Sequence, residues 1–348
     1  MLAALGYASV QARVRARRSR LLHGDTWRAL IGAPTLARAL DRLPYGAPDA
    51  RERPLTTAGP DAASLLERAL RRELRQETVV LAASLPPRAQ DLVTWLAERA
   101  LVQDLKLLVR ALHHGRPVRE VWPATTLVDR RDPRLAALVH VRSVAELVSA
   151  LEGDRVGGAL ADAWGRRARN GHHPFYLEVA LDLAFQRGLV ERIDGLAGAD
   201  RKDAIALLGR ALALGNLIAA GRYRASSGVS PEEVVNFCLH RDFGGGLAMV
   251  QRVAAGGSLR DEAAALGVAI GATGDDTTTL LALERALDRE QRSAARVRFG
   301  RQPFGLGLVL AYLIEHRAQA QDLVTLVEAK AQGIEPAALR ERLPRGEA

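Results

Sequence analysis

The sequence predicts an all-α fold built from three diverged copies of one helical unit, and three observations predict it. Ala and Leu dominate an apolar set that makes up 48% of the 348 residues, while aromatics supply only 4%. That is the composition of packed helices rather than of sheets, which favour β-branched and aromatic residues. The stretch L-E-x-A-L occurs three times, as LERALRREL from Leu66, LEVALDLAF from Leu177 and LERALDREQ from Leu283. A second element follows each at nearly constant distance: DLKLLVRALHHG from Asp104, NLIAAGRYRASSG from Asn216 and DLVTLVEAKAQG from Asp322, lying 38, 39 and 39 residues beyond the first leucine. One match in an Ala/Leu-rich chain is coincidence; two elements recurring three times with their spacing kept are a repeat.

The first helix carries a seam of its own. Ala3, Tyr7, Val10, Val14, Arg17 and Leu21 follow 4-3-4-3-4 spacing, flanked by Arg13 and Arg20 on one side and Arg15 and Arg18 on the other. Arg17 interrupts the apolar seam. Such a helix docks on an acidic partner helix or on anionic lipid headgroups, or else it is a solvated face with Arg17 snorkelling. Its apolar residues precede its basic ones, the reverse of a secretory signal, so no export signal is expected. The Pro- and Gly-rich stretch from Pro44 to Pro60 reads as a loop inside the first copy, because the repeat spacing continues across it.

Each second element has helical logic. Leu101, Leu105, Leu108 and Leu112 share one face, Arg110 lies on the far side, and Gly115 supplies a left-handed C-terminal cap. Gly228 and Gly333 end the other two copies. Beyond them, Pro231 and Pro336 stand where a short helix begins at its first residue, with Ser230 as the N-cap before Pro231. The runs Pro123–Pro133 and His240–Gly246 separate the copies, which gives expected repeats of 1–122, 123–240 and 241–348.

Charge points to an acidic partner. The formal net charge of +9 comes almost entirely from arginine, with lysine only at positions 106, 202 and 330. Nucleic acid, anionic lipid or an acidic protein would answer such a surplus, and so would a genome that favours arginine codons. The most apolar segment, from Ala204 to Tyr223, is interrupted by Arg210, Asn216 and Arg222. A central arginine costs about 2.5–3.5 kcal/mol on membrane insertion. A core helix is expected there, with any membrane association peripheral or through a partner.

Signatures of chemistry are missing or weak. The sequence has no GxxxxGK[ST] phosphate loop. Gly305 and Gly307 lack the third glycine of a dinucleotide site and read as a turn or a close helix contact, and Gly244–Gly246 as a hinge. His113-His114 and His172-His173 are adjacent pairs, which point about 100° apart on a helix and suit joint metal ligation poorly. Cys238, the single cysteine, excludes an intrachain disulfide and reads as a small buried hydrophobe. Glu67, Glu178 and Glu284 recur in the L-E-x-A-L helices as interhelical pairing partners rather than an acid/base set. No catalytic residue, cofactor or metal is expected.

The opening YASVQARVRARRSRLL, the DLKLLVR and NLIAAGR helices followed by glycine and a short helix, and the threefold repetition resemble the C subunit of bacterial and archaeal V/A-type ATP synthases. The eukaryotic counterpart is the d subunit of the vacuolar proton pump. The resemblance covers essentially the whole chain. It implies three homologous helical bundles in a pseudo-threefold funnel, seated on the cytoplasmic face of the membrane's proteolipid ring and accepting the foot of the central shaft at its wide end. Such a part transmits torque, catalyses nothing, and is a monomer in isolation. On that reading Arg13, Arg15, Arg17, Arg18, Arg110 and Arg222 are the candidate partner-interface residues.

Two departures stand out. Glu328 occupies the place of Arg110 and Arg222, so the three copies do not share one charge role there, and the second copy has one extra residue before its glycine. The competing class is a basic helical-repeat scaffold binding nucleic acid or another acidic partner. It needs a continuous cationic surface with aromatics for stacking, whereas Trp27, Trp95, Trp122 and Trp164 are scattered and arginines alternate with acids beyond the first helix. A helical enzyme with an unrecognised site is the third class.

Overall fold

The computed structural model describes residues 2–40, 62–129, 132–167, 174–226, 228–243, 245–271, 275–301 and 305–343. The Pro44–Pro60 loop, the His172-His173 pair and Gly244 fall outside them. Among the described residues every regular element is helical and none is a strand. Seven longer helices organise the chain: α1 (Leu2–Arg18), α2 (Ala62–Ala82), α3 (Arg99–His113), α4 (Phe175–Gly195), α5 (Gly198–Ala225), α6 (Asp276–Arg301) and α7 (Leu306–Ala331).

The first-helix seam is real. Tyr7, Val10 and Val14 are buried, and Leu21 stays buried although the helix stops at Arg18. This face packs on α7 and α2. The L-E-x-A-L motifs lie in α2, α4 and α6, and the second elements in α3, α5 and α7. Each second element ends as its pattern demands: Gly115, Gly228 and Gly333 have φ of +68°, +84° and +71°, a left-handed conformation that residues with a Cβ adopt at a cost. After the second stop, Ser230 and Glu233 form a reciprocal capping box on the helix Pro231–Asn236. Pro336 opens the last helix at its first residue.

Packing between the motif-bearing helices follows one order. α3 packs on α4, α5 on α6, and α7 on α2. The last of these contacts joins the two ends of the chain. Trp27, Leu30 and Ile31 from the short helix Gly24–Ile31, Leu66 and Leu70 of α2, and Leu323, Leu326 and Val327 of α7 form a single hydrophobic cluster. A second cluster joins Leu214, Leu217 and Ile218 of α5 to Val234, Cys238, Met249, Val250 and Leu283 of α6. The largest contains Leu101, Leu105 and Leu108 of α3, Leu127–Leu160 side chains, and Leu177, Leu181 and Phe185 of α4. Hydrophobic clusters therefore run across 123 and 241 rather than stopping there. Just after 123, Thr125, Thr126 and Leu127 are all buried.

Close contacts fix the helix crossings. Trp95, in the helix Pro87–Ala97, donates its indole N–H to the Phe185 carbonyl at 2.9 Å and lies against Gly188, where an added Cβ would come within 2.3 Å of the ring. Gly305 takes φ +113° before α7, and Gly307 approaches so near that its Cβ would meet Arg298 Nε at 2.2 Å. The Gly305–Gly307 pair is thus both a turn and a close contact. Its amide at 307 donates to Asp203 Oδ2 at 3.2 Å, and Arg298 pairs with the same carboxylate.

The helix Gly198–Ala225 is long and apolar enough to cross a membrane by composition, with mean hydropathy 1.6 over its best window. Most of that window is buried inside the protein, as a core helix requires. Arg210 within it donates to the Gly267 carbonyl and pairs with Glu290.

Between α6 and α7 lies a buried ion pair. Arg292 Nη1 and Nη2 donate to Asp322 Oδ2 and Oδ1 at 2.6 and 2.8 Å, while its Nε donates to Asp288 at 2.8 Å. Removing one partner strands a charge away from water, whereas removing both does not. Arg292→Met is therefore expected to cost about 3–5 kcal/mol, and Arg292→Met/Asp322→Leu to recover most of that loss. Urea unfolding of the three chains checks this, and an equal loss in the single and double variants would contradict the pair's isolation from solvent.

Candidate functional site

The second elements hold a polar residue inside and a charged residue outside at the same register. Inside, Asp104 is fully buried and its Oδ2 accepts from Thr126 N at 3.0 Å and Thr126 Oγ1 at 2.5 Å. Asn216 does the equivalent for the next segment: its Nδ2 donates to the Leu239 carbonyl at 2.9 Å and its Oδ1 accepts from Leu239 N at 2.8 Å. In both, one side chain near the middle of the helix satisfies backbone or hydroxyl groups that lie beyond the glycine stop, so the returning chain can be buried. Asp322 holds Arg292 instead. The sequence displayed these three residues as the first letter of each element, yet their partners lie too far along the chain for spacing to reveal.

Outside, the arginines meet the recurring glutamates. Arg110 Nε on α3 donates to Glu178 Oε1 on α4 at 2.7 Å, and Arg222 on α5 pairs with Glu284 on α6. Both glutamates are therefore interhelical pairing partners. The bond to Glu178, more than its charge alone, holds the Arg110 pKa above the usual arginine value. On α2, Glu67 pairs within its own helix with Arg71, and the register on α7 that would meet it is the exposed Glu328. Two of the three contacts carry an Arg–Glu clamp and the third, which joins the chain ends, carries acid on both helices.

The α1 arginines are spent differently. Arg17, half-buried in the seam, pairs with Glu77 on α2; Tyr312 of α7 donates to the same carboxylate at 3.0 Å. The bond to Glu77 raises the Arg17 pKa, and burial raises that of Tyr312. Arg13 donates to Ser84 Oγ at 2.9 Å, and the Arg18 guanidinium lies 4.0 Å from the centre of the Phe299 ring. Arg15 is exposed. The six arginines named from the sequence thus lie on α1, at the α3–α4 contact and at the α5–α6 contact.

Among the described residues no group of three or more His, Cys, Asp or Glu could hold a metal ion. His113 and His114 are exposed at the end of α3. Cys238 is buried, and burial pushes its thiol up to about 12, so it behaves as a small hydrophobe.

Restoring the clamp at the chain-end contact tests the shared register. Glu328→Arg is expected to gain about 0.2–1 kcal/mol, the size of an exposed pair, and to lose that gain in a Glu67→Gln background. A double-mutant cycle in urea measures it, and a gain unaffected by Glu67 would place Glu328 elsewhere.

Comparison with known proteins joins this geometry to a family. No curated protein matches the chain. A family model described as ATP synthase (C/AC39) subunit matches residues 10–342. The chain therefore belongs to the ATP synthase C/AC39 subunit family, a structural and non-catalytic component of the membrane-associated V-type rotary ATPase.

Proposed function

We propose that this chain is the rotor adapter of a V/A-type ATP synthase or ATPase. It joins the central-shaft subunits to the membrane proteolipid ring and transmits torque for proton or sodium transport. On this reading it sits peripherally on the cytoplasmic side of the membrane, one copy to each rotor, and is a monomer on its own. The observation that carries the reading is the family match over nearly the whole chain. Helix packing supports it: α3 on α4, α5 on α6 and α7 on α2 form a closed order. Three repeats of 1–122, 123–240 and 241–348, each lending its second element to the next one's first, would arrange themselves in such an order around a pseudo-threefold axis.

A torque-bearing part needs stiffness and complementary surfaces rather than a reactive group. Ion pairs and hydrogen bonds at each helix contact supply resistance to sliding, since none can shift by a helical turn without leaving a partner unmet. The same pairing removes cations from the surface. Arg17, Arg110 and Arg222 each face a glutamate of this chain, which works against the continuous cationic face that nucleic acid demands.

The test is purification of the tagged chain from membranes of its own host in mild detergent, followed by native mass spectrometry. One copy of the chain is expected with shaft subunits and a proteolipid ring. Recovery of nucleic acid, or of no rotary component from membranes that contain an intact complex, would replace the adapter reading with a basic scaffold.

A further inference from the structure

Beside α6 lies a groove of about 350 Å³. Ala269, Ile270, Leu281 and Ala282 give it an apolar lining, and Arg285 and Arg289 line it with charge. Ile270 is buried, whereas Leu281 is 49% exposed despite its size. Leu281, Arg285 and Arg289 are each four residues apart, so they follow one another along a single face of α6. Both arginines are exposed.

Among the described residues neither Arg285 nor Arg289 forms an ion pair or a side-chain hydrogen bond. All four acids of α6 are engaged by other arginines: Asp276 by Arg224, Glu284 by Arg222, Asp288 by Arg292 at 2.8 Å and Glu290 by Arg210 at 3.2 Å. The groove thus joins an uncovered leucine to two cations whose neighbouring acids are already taken.

The same register differs on the other two motif helices. Arg285 and Arg289 stand two and six residues beyond the first leucine of L-E-x-A-L. There α4 has Val179 and Leu183, both buried. There α2 has Arg68 and Arg72, both engaged within the chain, Arg68 by the Pro123 carbonyl. On α4 and α2 this register is met from within the chain; on α6 it faces solvent.

We propose that the groove beside α6 docks an acidic amphipathic helix of a partner protein. Apolar side chains of that helix cover Leu281, and two of its carboxylates one turn apart meet Arg285 and Arg289. Four residues of helix rise about 6 Å, so the spacing of the arginines matches that of the acids. Planar guanidinium forks take carboxylates bidentately, while an apolar helix face laid into a groove supplies the buried area. A free inorganic anion would leave Leu281 uncovered, and an uncharged apolar segment would make no use of the arginines; the combination selects a segment that carries both. The inference goes beyond the rotor-adapter reading and holds for any partner with such a helix.

Photo-crosslinking from within the groove tests it. Full-length Ala269→Cys is labelled with a photoreactive maleimide; Cys238 is buried, so the new thiol takes the label. The labelled chain is irradiated with detergent-solubilised membranes of its host, and the crosslinked peptides are sequenced by mass spectrometry. The expected adduct is a peptide with two Asp or Glu one helical turn apart beside Leu, Ile or Phe. Its yield should fall about tenfold on adding Arg285→Gln/Arg289→Gln, and should fall at high salt. Leu281→Ser should lower it as well, whereas Arg285→Lys/Arg289→Lys should hold it within a few fold. A synthetic copy of the peptide should bind the unlabelled chain with the same dependence on these variants. Because the altered side chains are exposed, all the variants should keep the wild-type unfolding midpoint. An adduct with a peptide lacking acids, an adduct with anionic lipid, a yield indifferent to the Gln variant, or no adduct at all would each overturn the proposal.

Discussion

Each second-element helix carries an apolar face too large to leave in water, and each meets it with the motif helix of the following segment. Burial of leucine and valine side chains, about 1.5–3 kcal/mol apiece, holds these contacts, and polar pairs set their register. The arrangement closes only because α7 returns to α2, so Trp27 and Leu30 from the beginning of the chain share a cluster with Leu323 and Leu339 from its end. Stability of the whole is tied to contacts of the longest sequence separation, which form last and cooperatively. A chain lacking either end loses one wall of that cluster.

Arginine joins helices in two ways. At α3–α4 and α5–α6 an exposed arginine clamps a half-buried glutamate, worth little alone but specific in register. At Arg292, which is buried, and Arg298, which is half-buried, it pairs with aspartates and cements α6 to its neighbours. Arginines set between helices in this way suit a part that bears load.

Local features were legible in the sequence because they obey local rules. The glycine stops, the N-cap at Ser230, the Tyr7–Val10–Val14 seam and the pairing role of Glu178 and Glu284 follow from periodicity and residue chemistry. Choice of partner did not. That Asp104 would bond Thr126 and Asn216 would bond Leu239, and that Asp322 would take Arg292 instead, depend on how distant helices cross, which no spacing encodes. The run after 123 read as the separation between two copies, and Asp104 gives its backbone a buried partner at Thr126.

A cryo-electron microscopy map of the rotary complex, extracted with this chain in place, tests the central claim most directly. The account predicts density for the chain on the rotation axis between shaft and ring, with α7 packed against α2. The chain found away from the axis, or with α7 detached from α2 in the assembled rotor, would contradict it.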